Sequence, residues 1–121
     1  MKADLRATYR LQLGPSFTLD HAAALLDYLA ELGVSHLYCS PYLQAAPEST
    51  HGYDVVDPSR VSTALGGEEA HGRLIQAHRR SGIKQLLDIV SNHMAIVATN
   101  PWWWDVLQNG VSSPYAAYFD V

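Results

Sequence analysis

One cysteine, Cys39, is all that 121 residues hold, so no intramolecular disulfide can form and a reducing compartment is expected. Cys39 sits in an apolar run and reads as a buried structural thiol. No stretch approaches the ~20 apolar residues of a membrane-spanning helix. Lys2, Asp4, Arg6 and Arg10 interrupt the first fifteen residues, which leaves no apolar core for a signal peptide, so a soluble cytoplasmic protein is expected. Positive charge is scarce too: eight Lys and Arg stand against twelve Asp and Glu, a net charge of -4 with no block of one sign. Nucleic acid and anionic membranes are therefore not expected partners. No Gly-x-Gly-x-x-Gly or Walker-type loop is present, which argues against a nucleotide-binding sheet. His21, His36, His71 and His78 lack ligand spacing, and neither a metal nor a cofactor is expected.

What the chain does contain is an alternation of strand and helix patterns. Residues 7–13 set Tyr9, Leu11 and Leu13 against Thr8, Arg10 and Gln12, the two-residue period of a strand, and Gly14-Pro15 ends it. Thr18 is a candidate N-cap. Leu19, Ala22, Leu25, Leu26, Leu29 and Leu32 then recur at helical spacing until Gly33. Residues 34–40 form a short apolar run closed by Pro41, as a strand buried on both faces would be. Residues 41–67 are rich in Pro, Gly, Ser and Thr, show neither period, and read as a long functional loop. A second helix is predicted over 68–81, with Glu68 and Glu69 in its first turn, Arg79 and Arg80 in its last, and Gly82 after it. Residues 83–90 are a third strand. Asn100-Pro101 starts a short helix that Gly110 stops, and Ser113-Pro114 starts another. Consecutive Trp102, Trp103 and Trp104 point about 100° apart on a helix, so they cannot form one platform and at least one is expected in the core.

Strand, helix, strand, helix, strand implies parallel pairing, either in a (β/α)8 barrel or in an open doubly wound sheet. Ligands bind at the carboxyl ends of the strands in both. The turn after the first strand, the loop with Gly52-Tyr53-Asp54, and Ser91-Asn92-His93 after the third all leave that edge. Aromatic faces cover sugar C–H surfaces while fixed polar groups pair with hydroxyls, so Tyr, His, Asn and Asp around one cleft suit a carbohydrate.

Asp88-Ile89-Val90-Ser91-Asn92-His93 resembles the first signature region of the α-amylase superfamily, and Gly52-Tyr53-Asp54 resembles the loop whose tyrosine lines the subsite of the attacked glucose. Four further segments resemble the maltooligosyltrehalose synthases of that superfamily, in glycoside hydrolase family 13. They are Thr8-Tyr9-Arg10-Leu11-Gln12-Leu13, His51-Gly52-Tyr53-Asp54-Val55-Val56-Asp57-Pro58, Leu65-Gly66-Gly67-Glu68-Glu69 and Asn100-Pro101-Trp102-Trp103-Trp104-Asp105-Val106-Leu107. The likeness runs over residues 5–121 without a gap. Ser91 departs from it where a proline is expected, as do residues 95–99, which lack the expected glycines, and both departures bear on loop rigidity.

The resemblance implies an α/β fold, the N-terminal portion (about three β/α units) of a (β/α)8 TIM barrel, with residues 1–121 a partial catalytic barrel truncated before strands four to eight. It implies an intramolecular transglucosylation that turns the reducing-end α-1,4-linked glucose of a maltooligosaccharide into an α,α-1,1 linkage, in trehalose biosynthesis. Tyr53 would be the stacking platform and His93 a contact to the glucose hydroxyls. Asn92 would be a polar brace and Asp88 a buried acid ordering the strand end. The nucleophile and the acid/base follow later strands in this superfamily, so no catalytic carboxylate is expected in this chain. A hydrolytic α-amylase-type glycosidase and a non-enzymatic sugar-binding module are the alternatives.

Overall fold

The structure, a computed structural model, describes residues 4–120. Its elements are β1 (Thr8–Leu11), α1 (Leu19–Glu31), β2 (His36–Cys39), β3 (Leu43–Ala45), β4 (Val55–Val61), α2 (Gly67–Ser81), β5 (Lys84–Leu87) and α3 (Pro101–Asn109). β1, β2 and β5 form a parallel sheet in that order. The predicted alternation of strand and helix is therefore present, with each strand trimmed to four residues.

The helices form where the sequence supplies both a start and an apolar stripe. The Thr18 backbone N–H donates to His21 Nδ1 at 2.9 Å, and α1 then buries Leu19, Ala22, Leu26 and Leu29. α2 buries Ala70, Leu74, Ala77 and His78 and stops at Gly82, whose φ of 78° suits a residue without a Cβ. The two helices pack together, and Arg73 grips Asp20 with two hydrogen bonds of 2.7 and 2.9 Å across them. Leu19, Leu26, Leu37 and Leu74 are fully enclosed in this core, where each such side chain contributes about 1.5–3 kcal/mol relative to exposure. Cys39 is buried among them, and burial pushes its thiol up to about 11, leaving it inert.

The pairing register sorts the strand residues onto two faces. Leu11, Cys39 and Leu87 lie in one row, and Arg10, Tyr38 and Leu86 in the next row on the opposite face. Leu11, Leu37 and Cys39 join the helices in the core, so the face of Arg10 and Tyr38 is the one turned away from them. Leu87 and Ile89 are 60% and 69% exposed, because among the described residues no element covers that end of the sheet. Ser40 joins the carboxyl ends of β1 and β2: its N–H donates to the Leu11 carbonyl at 2.9 Å and its Oγ accepts from Leu13 N at 2.8 Å.

Two expectations are overturned here. Residues 41–67 are not a plain loop, because β3 and β4 pair antiparallel within them, with shifts of register on either side of Gln44. No tryptophan of the triplet is buried either. Trp102 and Trp103 are half-buried against Tyr115 and Phe119, Trp104 is 46% exposed, and Val106 is the residue that α3 buries. The start of α3 is as predicted: buried Asn100 accepts from the N–H groups of Trp102 and Trp103 at 3.0 and 3.1 Å, with Pro101 at the first helical position.

Candidate functional site

Asp88 is the first residue beyond β5, and Tyr53 comes from the excursion between β3 and β4. The excursion turns at Gly52, whose φ is +83° and whose missing Cβ leaves room for the Pro41 carbonyl oxygen, 2.5 Å from where that atom would stand. Ser49 Oγ accepts from Gly52 N at 3.0 Å and donates to Asp54, while the Tyr53 N–H donates to His51 Nδ1 at 3.0 Å. These bonds hold the turn so that the Tyr53 phenol reaches Asp88 Oδ2 at 2.6 Å, across 35 residues of sequence.

Asp88 also accepts from the Tyr38 hydroxyl at 3.2 Å. Arg10, from β1, donates through Nη2 to the Tyr53 hydroxyl at 3.2 Å and through Nη1 to Gln12 Oε1 at 2.9 Å. Its guanidinium lies 5.5 Å from the centre of the Tyr38 ring. The hydrogen bond to Asp88 raises the Tyr53 phenol above its ordinary value, an effect that Arg10 partly offsets, and the bond to Tyr53 raises Arg10 as well. Tyr53 therefore keeps its proton at neutral pH and donates a hydrogen bond to the carboxylate.

His93 approaches from the segment after β5. Its Nε2 lies 3.1 Å from the Tyr53 carbonyl oxygen and its Nδ1 lies 3.0 Å from Asn92 Oδ1. Tyr53 thus meets both Asp88, through its hydroxyl, and His93, through its main chain. Asn92 touches His93 and reaches neither of the others. Asp88 is half-buried, not the buried acid expected from the sequence, because it stands past the last paired row of the sheet on the face without helices. A cavity of about 620 Å³ opens beside Asn92 and His93, walled in part by Trp102, Trp103 and Phe119, and Tyr53 and Asp88 do not line it. No cluster of three or more His, Cys, Asp or Glu able to hold a metal occurs among the described residues. No helix there is long and apolar enough to cross a membrane.

Sequence reasoning missed Arg10 and Tyr38. The signal lay in the alternation of the first strand, which puts Arg10 on the face opposite Leu11, but only the register sets it beside Tyr38. The half-buried Trp102 and Trp103 were likewise not legible as cavity walls.

Residues 18–120 match the α-amylase catalytic domain. A Mycobacterium tuberculosis protein named provisionally as a maltooligosyl trehalose synthase is 50% identical over 122 residues, covering 95% of this chain and 16% of that protein. The structure of maltooligosyltrehalose synthase from Arthrobacter ramosus superposes with a TM-score of 0.89 at 48% identity, over 95% of this chain and 16% of that one. The maltogenic α-amylase of Bacillus acidopullulyticus is 34% identical over 96 residues, 79% of this chain and 16% of that protein. The chain thus spans 16% of the length of each. These likenesses decide the architecture that the alternation alone left open: β1, β2 and β5 are consecutive strands of the N-terminal portion of a (β/α)8 barrel.

Proposed function

The chain belongs to the α-amylase catalytic-domain family, and on that footing we propose that it supplies the first three β/α units of a cytoplasmic maltooligosyltrehalose synthase. The proposed reaction is an intramolecular transglucosylation. The α-1,4 bond to the reducing-end glucose of a maltooligosaccharide is broken with retention, and the same glucose returns through its anomeric hydroxyl to form an α,α-1,1 bond. No water is consumed, so the product is an isomer of the substrate and a step toward trehalose.

The observation that carries the reading is the link from Tyr53 to Asp88 at 2.6 Å at the carboxyl edge of the sheet, where barrels of this kind bind their ligands. Tyr53 offers an aromatic face to the glucose whose bond is broken, and Asp88 holds that ring by its hydroxyl. His93 and Asn92, both exposed beside it, supply polar contacts to sugar hydroxyls. Asp88 accepts hydrogen bonds from two phenols, which suits a structural carboxylate better than a nucleophile. Retaining chemistry needs two carboxyl groups roughly 5 Å apart, and we assign them to other strands of the barrel. The choice of a synthase over a hydrolase is supported by identities of 48–50% with synthases over 95% of the chain, against 34% over 79% for a maltogenic amylase.

The test is to incubate the full-length protein that carries this segment with maltopentaose, following reducing ends and total glucosyl units. The synthase reading expects reducing ends to fall while glucosyl units stay within one chain length. Release of glucose or maltose would replace it with an amylase-type hydrolase, and binding without turnover would replace it with a sugar-binding module. Tyr53→Ala should lower kcat/KM by about tenfold or more, since aromatic contact contributes about 1 kcal/mol and orientation adds to it. The 121-residue chain alone should make no trehalosyl product.

A further inference from the structure

Four side chains from different segments close a ring: Arg10 to Tyr53, Tyr53 to Asp88, Asp88 to Tyr38, and Tyr38 under the Arg10 guanidinium. The proposed role for Tyr53 uses the ring face, and a single bond from its hydroxyl to Asp88 would leave the phenol free to pivot about that bond. A second bond to the same oxygen limits that motion and pins the hydroxyl end of the ring. We propose that Arg10 is a positioning residue for the sugar site, fixing the hydroxyl end of the Tyr53 ring from β1, and this rests on the reading of Tyr53 as the sugar platform.

The guanidinium is suited to the task by its shape. Nη2 meets Tyr53 while Nη1 is held by Gln12 Oε1 at 2.9 Å, so the fork is aimed from behind by a residue two positions along. Its central carbon lies over the Tyr38 ring, 5.5 Å from the centroid, and Tyr38 in turn donates to the carboxylate that accepts the Tyr53 hydrogen bond. Arg10 therefore contacts both phenols that converge on Asp88. Lysine could keep the charge but not the fork, whose two separate nitrogens meet Tyr53 and Gln12.

The expectation is tested by a double-mutant cycle in the full-length protein that carries this segment, using Arg10→Met, Tyr53→Phe and the pair. Maltopentaose consumption is followed whatever the product, so the cycle reads Arg10 even if product analysis turns the synthase reading into a hydrolase. Arg10→Met should lower kcat/KM about tenfold in the parent and twofold or less in the Tyr53→Phe background, where the oxygen it grips is gone. Arg10→Lys should fall between parent and Arg10→Met, and it serves where the Met variant fails to fold. The alkaline limb of the kcat/KM profile should also move to higher pH in Arg10→Met, because the cation that favours the Tyr53 phenolate is removed. Equal losses in both backgrounds, or an Arg10→Met variant that matches the parent, would overturn the proposal. A parent that consumes no maltopentaose would overturn both it and the function on which it rests.

Discussion

Replacing Gly52 by alanine tests how tightly the turn before Tyr53 is built. At φ +83° an L residue costs about 1–2 kcal/mol. The added Cβ would stand 2.5 Å from the Pro41 carbonyl oxygen, where ordinary contact begins near 3.4 Å, so roughly 0.9 Å of movement is required of one backbone or the other. Pro41 closes the buried end of β2 and has little freedom to retreat, which directs the movement into the turn and hence into Tyr53. A displacement near 1 Å at a positioning group can cost about 100-fold in rate, or about 2.7 kcal/mol. In the full-length protein, Gly52→Ala should therefore lower kcat/KM on maltopentaose about 100-fold together with a lower melting temperature. Gly72→Ala is the control. That glycine lies inside α2 with nothing within 4 Å of a new Cβ, so the substitution should leave kcat/KM unchanged and stabilise by about 0.5–1 kcal/mol. A Gly52→Ala variant within twofold of the parent would show that the turn does not hold Tyr53 in place.

Other perturbations address the site, the core and the sheet edges. His93→Ala should lower kcat more than it raises KM, as steady-state kinetics on maltopentaose can show, because the proposed contact to the glucose would tighten toward the transition state. Burial lowers the pKa of His78, whose Nε2 has no partner among the described residues while Nδ1 meets the Ile83 carbonyl at 2.7 Å. Its stabilising effect is thus complete above the unfolded value near 6.5 and is lost as pH falls through the folded one, so melting temperature should decline from pH 7.5 to 5, less steeply in His78→Gln. β1 and β5 each present an unpaired edge among the described residues, and the 121-residue chain alone should associate, which light scattering after gel filtration would register.

The parallel pairing of β1, β2 and β5 was legible because Gly or Pro stands at one end of each strand and the two segments between them read as helices, whereas the order in the sheet stayed open between a barrel and a doubly wound sheet. The β3-β4 pair was not. β3 has only Leu43, Gln44 and Ala45, and β4 carries Pro58 with exposed Ser59 and Arg60, a composition that argues against a strand unless the pairing partner is known. Tyr53, Asp88, Asn92 and His93 were identifiable as a group by resemblance, and the structure links them in one chain of contacts, with Asn92 joined only through His93. The depth of Asp88 was not readable, since burial depends on what covers the sheet and not on the strand that ends in the acid. Arg10 escaped notice because a lone arginine on a half-exposed strand has many uses until the register names its neighbour.

The contacts of His93 have a consequence for the proton it carries. A carbonyl oxygen can only accept, so the ring nitrogen facing Tyr53 O must bear hydrogen, and in the neutral ring the nitrogen facing Asn92 is then bare. The Asn92 oxygen placed 3.0 Å from that nitrogen then changes places with the NH2 of the same amide by a half-turn of the side chain, which leaves the carbonyl oxygen for a ligand. The main-chain carbonyl of Tyr53 thus sets, through one imidazole ring, which end of the Asn92 amide is turned to a ligand.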